Sequence, residues 1–300
     1  MSKSITVRSK QDLLRLIESE QDAQLEFLQS LIRTPSPNPP GDTRDAIKIV
    51  QDYLHDHGVD SRIIAPLPKA PNLVSVIGQN SSPLTHRRLV LNGHMDCFPV
   101  ADADQWRRDP YSGDIEDGLI HGRGVVDMKA GTAASIIAFT YLHRFQSQLA
   151  GQCVLEVVSD EETGGKYGTR YLLEEDEGKE MWRGDCVLNA EPGGLGSIRF
   201  AEKGTLRMTF VVETLGGHGA YLHRDEGAIR IATRLIERLI GLETLRGEDI
   251  DQELKQYMAR EDVRAVANNI MGEGAAASML KPTVNIGTIS GGAKVNMIPS

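Results

Sequence analysis

The sequence predicts an α/β fold, with a mostly parallel sheet that has helices on both faces. Apolar runs of strand length alternate along the chain with segments whose apolar residues recur at helical spacing. The predicted strands cover 72–77, 88–91, 154–158 and 186–188, and the predicted helices cover 10–32, 43–57 and 131–145. Strands that alternate with helices in this way are typical of a sheet whose crossover connections lie on its two faces.

Local residue types set the ends of these predicted helices. The segment 34–41 contains four prolines and must end the first helix, because proline lacks an N–H donor and disfavours the α conformation in the residue before it. The second helix is predicted to stop at Gly58, a residue type common just after a helix end. The third is strongly apolar, with Ala133, Ile136 and Phe139 among its residues, which predicts a buried helix.

The pattern changes after about Ser197. Residues 206–212 begin with the apolar–polar alternation of a half-exposed strand. Helices are predicted at 226–242 and 249–257, and further strands at 283–289 and 295–298. We therefore expect two domains, 1–197 and 198–300, the second an antiparallel sheet with helices on one face.

Composition and charge narrow the class of protein. The chain has 300 residues, with 33 basic and 42 acidic side chains and a net charge of −9, which argues against a nucleic-acid partner. Cys97, Cys153 and Cys186 lack the spacing of a disulfide framework and favour a reducing compartment. Residues 1–8 show no secretory signal, and no apolar run reaches the roughly 18–20 residues of a membrane span. We expect a cytoplasmic protein without a membrane partner.

Acidic and imidazole side chains follow three of the predicted strands. His94 and Asp96 come after 88–91, Glu161 and Glu162 after 154–158, and Glu191 after 186–188. Because ligands of open α/β sheets bind at the carboxyl ends of the strands, we expect these side chains to converge. Histidine is the commonest metal ligand, and its second ring nitrogen needs a partner that Asp96 can supply.

Each of these residues has a simpler interpretation when it is taken alone. His94 could lie in a surface turn, and Asp160, Glu161 and Glu162 could form an exposed acidic turn. Three adjacent carboxylates repel one another, however, and after a buried strand a cation explains them better. Asp127 lies in a glycine-rich turn before the third helix, where its carboxylate would repel a pyrophosphate and so disfavours a dinucleotide-binding loop.

Together, these segments resemble the zinc metallopeptidase family that includes N-acetylornithine deacetylase, succinyl-diaminopimelate desuccinylase, carboxypeptidase G and aminoacylase. The blocks that carry the resemblance are Gly93-His94-Met95-Asp96, Gly122-Arg123-Gly124 with Asp127-Met128-Lys129, Asp160-Glu161-Glu162-Thr163-Gly164, Asn189-Ala190-Glu191-Pro192, Gly216-Gly217-His218-Gly219-Ala220 and Gly291-Gly292-Ala293-Lys294-Val295-Asn296-Met297-Ile298-Pro299. The resemblance covers about 25–300. It implies a catalytic domain over 1–197 and an inserted α+β lid or dimerisation domain over 198–300.

The resemblance implies two Zn²⁺ ions, for which Co²⁺ can substitute, and a role for each site residue. Asp127 would bridge the two ions, and Glu162 would bind one of them. His94 and Glu191 would complete the other metal site. Glu161 would act as the general base, and the peptide bond after Asp127 would be cis.

The resemblance also implies residues that assist the metal ligands. Asp96 would orient His94. On the second domain, His218 would donate to the oxyanion of the reaction, often across a dimer interface, with help from Asn296. The family has a last metal-ligand histidine near the C-terminus, and no histidine of this chain stands in a matching context before Ser300. We therefore expect a truncated chain, with a natural short product as the alternative.

The implied activity is metal-dependent hydrolysis of an amide bond in an N-acyl amino acid or short peptide, which is a small-molecule substrate. One alternative is a dipeptidase or carboxypeptidase of the same family. Another is an inactive remnant that acts as a binding protein. The resemblance further implies a homodimer formed through the lid-like domain.

Overall fold

The computed structural model describes residues 9–78, 87–101, 103–194, 196–245 and 250–300. The chain divides into two compact units, Met1–Pro192 and Gly193–Ser300. Residues 1–8, on which the expectation about a secretory signal was based, lie outside the described residues.

The first unit is built on a five-stranded mixed sheet. Its elements are α1 (Lys10–Ser19), α2 (Gln21–Ile32), α3 (Arg44–Asp56), β1 (Arg62–Ile64), β2 (Asn72–Gly78), β3 (Arg88–His94), β4 (Ile115–Glu116), β5 (Leu119–Ile120), α4 (Ala130–Arg144), β6 (Gln152–Val158), α5 (Thr169–Glu174), α6 (Lys179–Trp182) and β7 (Cys186–Asn189). The strand order is β1-β2-β6-β3-β7. Strands β6, β3 and β7 are parallel, β2 pairs antiparallel with β6, and β1 pairs antiparallel with β2. This mostly parallel arrangement confirms the predicted α/β fold class.

Helices cover both faces of this sheet, as predicted. Successive side chains of a strand point to opposite faces, so β6 contributes to two hydrophobic clusters. Leu155 and Val157 belong to the cluster formed with α2, α3 and α4. Val154 and Val158 belong to the cluster formed with Leu172 of α5 and Trp182 of α6. The candidate site residues described below follow the carboxyl ends of β3 and β6, which are mostly buried, and of β7, which is exposed.

Helix α4 is a core helix. The segment Val125–Arg144 is long and apolar enough to cross a membrane, judged by length and composition only. In the first unit, however, Ile136 and Phe139 of this segment are fully buried against the sheet. The prediction of a buried helix at 131–145 is confirmed.

The predicted helix at 10–32 is in fact two helices. Glu20, between α1 and α2, has a non-helical backbone, with φ −107° and ψ 12°. Its carboxylate accepts a hydrogen bond from the Tyr141 hydroxyl at 2.6 Å and pairs with Arg144 at 2.9 Å. The break coincides with these two contacts to α4, and helical spacing in the sequence does not register them.

The regular secondary structure of the second unit is mainly helical among its described residues, and much of the unit is irregular. Its elements are β8 (Gly217–His218), α7 (Ala228–Ile240), α8 (Gln252–Ala259), α9 (Glu261–Met271), α10 (Ala275–Ser278) and β9 (Met297–Ile298). Helices α7 and α8 confirm the helices predicted at 226–242 and 249–257. The strands β8 and β9 pair antiparallel over two residues each.

Two strand predictions in this unit are wrong. Residues 206–212 and 283–289 form no strand, and the strand predicted at 295–298 is reduced to β9. A strand requires a partner for its backbone N–H and C=O groups, which local alternation cannot supply. Leu206 and Val211, for example, are each 77% exposed rather than packed on a sheet face.

Candidate metal centre

Three parallel strands deliver polar side chains to one edge of the sheet. His94 is the last residue of β3 and lies opposite Val158, the last residue of β6. The turn after β6 carries Glu161 and Glu162, and the turn after β7 carries Glu191. Because the three strands run in the same direction, their carboxyl ends meet, and the predicted convergence follows from the topology.

Asp127 reaches the same edge from the turn that precedes α4. Within this turn, Val125–Lys129, the Asp127–Met128 peptide bond is cis, as the resemblance implies. The start of α4 packs tightly against the turn after β7, since a Cβ on Gly131 would lie 2.2 Å from the carbonyl oxygen of Ala190. Glycine is therefore required where α4 begins, and it allows Asp127 and Glu191 to approach each other.

The imidazole of His94 is the centre of the site. Its Nε2 atom lies 3.2 Å from Asp127 Oδ1, 3.2 Å from Glu191 Oε1 and 3.8 Å from Glu161 Oε2. Two sets of three side chains have ligand atoms that lie within 4.8 Å of one another inside each set. One set is His94, Glu161 and Glu191, and the other is His94, Asp127 and Glu162. The structure thus brings together all five residues predicted as ligands or base.

Asp96 connects His94 to the turn after β6. The Nδ1 atom of His94 lies 2.9 Å from the backbone carbonyl oxygen of Asp96 and 3.4 Å from its carboxylate. The carboxylate also accepts the backbone N–H groups of Glu161 and Glu162, at 3.3 and 3.1 Å. Asp96 therefore contacts the imidazole and fixes the backbone of both glutamates.

Asn38 in the proline-rich segment was not identified from the sequence. Its Nδ2 atom donates to the carboxylate of Asp96 at 2.8 Å and to Thr163 Oγ1 at 3.1 Å. Burial alone would raise the pKa of Asp96, but hydrogen bonds from His94 and Asn38 outweigh it and lower that pKa. The aspartate therefore stays ionised, in the form that accepts hydrogen bonds from the turn after β6.

Neighbouring charges and burial also shift the pKa values of His94 and Glu162. Burial opposes a charge on His94, but the hydrogen bond to Asp96 and the surrounding carboxylates outweigh it and raise the pKa of the imidazole to about 9. Burial raises the pKa of Glu162 to about 7, and the nearby carboxylate of Asp127 adds to the effect. Converging carboxylates repel one another, and a divalent cation would relieve that repulsion.

The donor set fits a metal ion. Among the described residues, four buried polar side-chain atoms have no hydrogen-bond partner, namely His94 Nε2, Arg123 Nε, Glu156 Oε1 and Glu162 Oε1, and two of them lie in this site. Buried polar atoms are rarely left without a partner. One imidazole nitrogen and several carboxylate oxygens are the ligand types that Zn²⁺ accepts at catalytic sites. Each of the two sets of three residues described above could hold a metal ion, but both use His94, whose Nε2 atom can bind only one ion.

Glu156 is a buried acid beneath this edge of the sheet. It lies on β6, is only 2% exposed, and accepts a hydrogen bond from Asn92 Nδ2 at 2.9 Å through Oε2. Burial raises its pKa to about 7, although the bond from Asn92 acts in the opposite direction. Because the pKa is raised in the folded state, the stability that the neutral acid provides is present below pH ~4.5 and is lost as the pH rises through about 7.

Glu156→Gln is therefore expected to stabilise the protein at alkaline pH. The amide keeps an acceptor for Asn92 and cannot ionise, so its free energy of unfolding should exceed that of the wild type by about 3 kcal/mol at pH 8, at ~1.36 kcal/mol per pKa unit. At pH 4.5 the two proteins should be nearly equal. Urea unfolding at both pH values tests this, and a difference that does not change with pH would contradict it.

His218 and Asn296 lie together in the second unit. His218 is in β8, opposite Met297 of β9, and the backbone N–H of Gly219 donates to the carbonyl oxygen of Asn296 at 2.8 Å. The Nδ1 atom of His218 accepts a hydrogen bond from the backbone N–H of Ala220 at 3.2 Å. Both predicted assisting residues are exposed within their unit.

Residues 90–295 match the model of peptidase family M20/M25/M40. The chain is 35% identical over 227 residues to a succinyl-diaminopimelate desuccinylase of Methylobacterium radiotolerans, covering 72% of this chain and 56% of that protein. It is 34% identical over 165 residues to an N-formyl-4-amino-5-aminomethyl-2-methylpyrimidine deformylase of Halalkalibacterium halodurans, covering 55% of this chain and 38% of that protein.

This chain also shares its fold with proteins of known structure. An M20 family metallo-carboxypeptidase from Sulfolobus solfataricus superposes with a TM-score of 0.58 at 17% identity, covering 92% of this chain and 68% of the other. The match spans little more than half the length of the desuccinylase and 38% of the length of the deformylase. The matched region contains His94, Asp127, Glu161, Glu162 and Glu191. This chain belongs to peptidase family M20/M25/M40.

Proposed function

We propose that this chain carries four metal ligands and the general base of a zinc-dependent amidohydrolase. The observation that supports the proposal best is the buried Nε2 atom of His94. It has no hydrogen-bond partner, and carboxylate oxygens from three separate turns lie within 3.2 to 3.8 Å of it. A metal ion would satisfy this nitrogen and neutralise the carboxylates.

We assign the ligands of two Zn²⁺ ions as follows. His94 and Glu191 would hold one ion, Glu162 would hold the other, and Asp127 would contribute to both. The buried, unpartnered Oε1 of Glu162 favours this residue over Glu161 as a ligand. Bound zinc would supply a Lewis acid for the amide carbonyl and make water more acidic at neutral pH.

Glu161 is the general base in this proposal. Its side chain is 54% exposed and lies 3.8 Å from His94 Nε2, farther than the 3.2 Å of Asp127 and Glu191. An exposed carboxylate beside the ligands can accept the proton of the attacking water and return it to the leaving amine. The contact between Asp96 and the backbone of Glu161 holds this carboxylate in place.

The proposed substrate is an N-acyl amino acid or a short peptide. Both curated relatives described above have names that specify removal of an acyl group from nitrogen, succinyl in one and formyl in the other. The solved carboxypeptidase, at 17% identity, shares the fold and carries no information on the substrate. We therefore favour deacylation over peptide cleavage.

The second unit would complete the catalytic site in the assembled protein. We propose that His218 donates to the oxyanion, with help from Asn296, and that a homodimer brings this histidine to the site. Loss of an oxyanion donor typically costs on the order of a hundredfold or more in kcat. Analytical ultracentrifugation of the chain tests the dimer, and a monomer at all concentrations would refute that part of the proposal.

A metal titration combined with a substrate panel tests the proposed function. Zinc is titrated into chelator-treated protein, and hydrolysis of N-succinyl-, N-formyl- and N-acetyl-amino acids is compared with that of dipeptides. Two bound ions with hydrolysis of the acylated amino acids support an amidohydrolase. Preference for dipeptides would replace it with a dipeptidase. One ion without hydrolysis would favour a binding protein.

A further inference from the structure

A continuous chain of hydrogen bonds runs from the turn after β7 into the interior of the sheet. The backbone N–H of Glu191 donates to Asn189 Oδ1 at 2.8 Å, and Asn189 Nδ2 donates to Asn92 Oδ1 at 3.1 Å. Asn92 Nδ2 then donates to Glu156 Oε2 at 2.9 Å. We call these three side chains, Asn189, Asn92 and Glu156, the amide chain. It crosses β7, β3 and β6 in turn.

The backbone N–H of Glu191 determines which group donates and which accepts in every hydrogen bond of the amide chain. A backbone N–H can only donate, so Glu191 requires the oxygen of the Asn189 amide, which leaves the Asn189 NH₂ to face Asn92. Asn92 must then present its oxygen to Asn189 and its NH₂ to β6. Position 156 therefore needs a hydrogen-bond acceptor, which a glutamate supplies in either protonation state.

The surroundings of Glu156 are otherwise apolar. Its neighbours on the same face of β6 are Val154 and Val158, which pack with Leu172 and Trp182. An apolar side chain would fit this cluster without the desolvation that an acid suffers there. The remaining N–H of the Asn92 amide donates to Thr169 Oγ1 at 3.2 Å, so the NH₂ group has partners for both hydrogens.

We propose that Asn189, Asn92 and Glu156 are positioning residues that hold the turn of Glu191, and through it the Glu191 carboxylate, at the metal centre. The inference rests on the proposed function, because Glu191 is a ligand only in that proposal. Partners behind a metal ligand orient it, and their loss typically costs about 10–100-fold in metal affinity. None of the three residues touches His94, Asp127 or Glu162 through a described hydrogen bond of its side chain.

Paired variants at position 156 test the acceptor requirement. Glu156→Met keeps the approximate length of the side chain but removes the acceptor, and Glu156→Gln keeps an acceptor without a charge. Zinc affinity of the full 300-residue chain is measured by competition with a chromophoric chelator. We expect it to fall roughly tenfold in Glu156→Met and to stay within about twofold of the wild type in Glu156→Gln.

A variant at the exposed end of β7 keeps the test valid if Glu156→Met does not fold. Asn189→Ser retains a short hydroxyl that accepts the Glu191 N–H, but it is too short to reach Asn92. Zinc affinity should again fall several-fold, while circular dichroism and the unfolding midpoint remain close to those of the wild type. A loss of affinity with an unchanged fold is a result that a purely structural role would not produce.

The outcomes separate this inference from the proposal on which it rests. Wild-type protein that binds no zinc would overturn the proposed function and the inference together. Wild-type binding that is undiminished in Asn189→Ser would overturn the inference alone. Equal losses in Glu156→Gln and Glu156→Met would overturn the acceptor requirement, since the amide preserves it.

Discussion

Replacing Asp127 by alanine is expected to remove zinc from both proposed sites and with it the proposed metal-dependent hydrolysis. Asp127 is the proposed bridging ligand, and its carboxylate lies 3.2 Å from His94 Nε2. Without it, each ion loses one ligand and the attraction of one negatively charged carboxylate. Zinc content after dialysis, measured by mass spectrometry, should fall from two ions per chain to none.

Asp114→Ala is the matched control for this prediction. Asp114 is an exposed aspartate of the first unit that belongs to neither candidate metal group. Its replacement removes the same number of charges but should leave the zinc content unchanged. Equal zinc content in Asp127→Ala and the wild type would show that this carboxylate does not bind the metal.

Glu161→Gln is expected to abolish turnover while zinc stays bound. The amide has nearly the same shape as the carboxylate but cannot accept a proton from water, and general-base catalysis typically contributes 10²–10⁴-fold to the rate. The hydrogen bond to Asp96 comes from the backbone of Glu161, so the substitution leaves it intact. We expect kcat to fall by at least about a hundredfold, with zinc affinity near that of the wild type.

Glu162→Gln is the matched comparison, because the two glutamates are adjacent and only Glu162 is a proposed ligand. Since Glu162 is a proposed ligand, its substitution should weaken zinc binding first, and activity should recover in excess zinc. Activity of Glu161→Gln should not recover in this way. If zinc rescued Glu161→Gln and failed to rescue Glu162→Gln, the two roles would have to be exchanged.

Much of the first unit could be predicted because its signals are local. The apolar runs that became β2, β3, β6 and β7 are bounded by turns, and the buried helix α4 is recognisable from its composition alone. The site residues were predictable for the same reason, since they stand at the ends of those strands. Parallel pairing then brings side chains that are far apart in sequence to one edge.

Contacts between segments that are distant in the sequence could not be predicted. The break at Glu20 coincides with contacts to Tyr141 and Arg144, and the support of Asp96 depends on Asn38, 58 residues before it in the chain. The strand at 206–212 was predicted from alternation, although no described segment of the chain pairs with it. Glu156 did leave a signal, namely a single acid within an otherwise apolar strand, and its meaning became clear only with Asn92 opposite it.

Diffraction from crystals of the chain grown with zinc, recorded at the zinc absorption edge, tests the central claim most directly. The account predicts two anomalous peaks, one within bonding distance of His94 Nε2 and the Glu191 carboxylate and the other beside Glu162, with Asp127 contacting both. Peaks found only at exposed histidines such as His223, with His94 Nε2 still lacking a ligand, would contradict it.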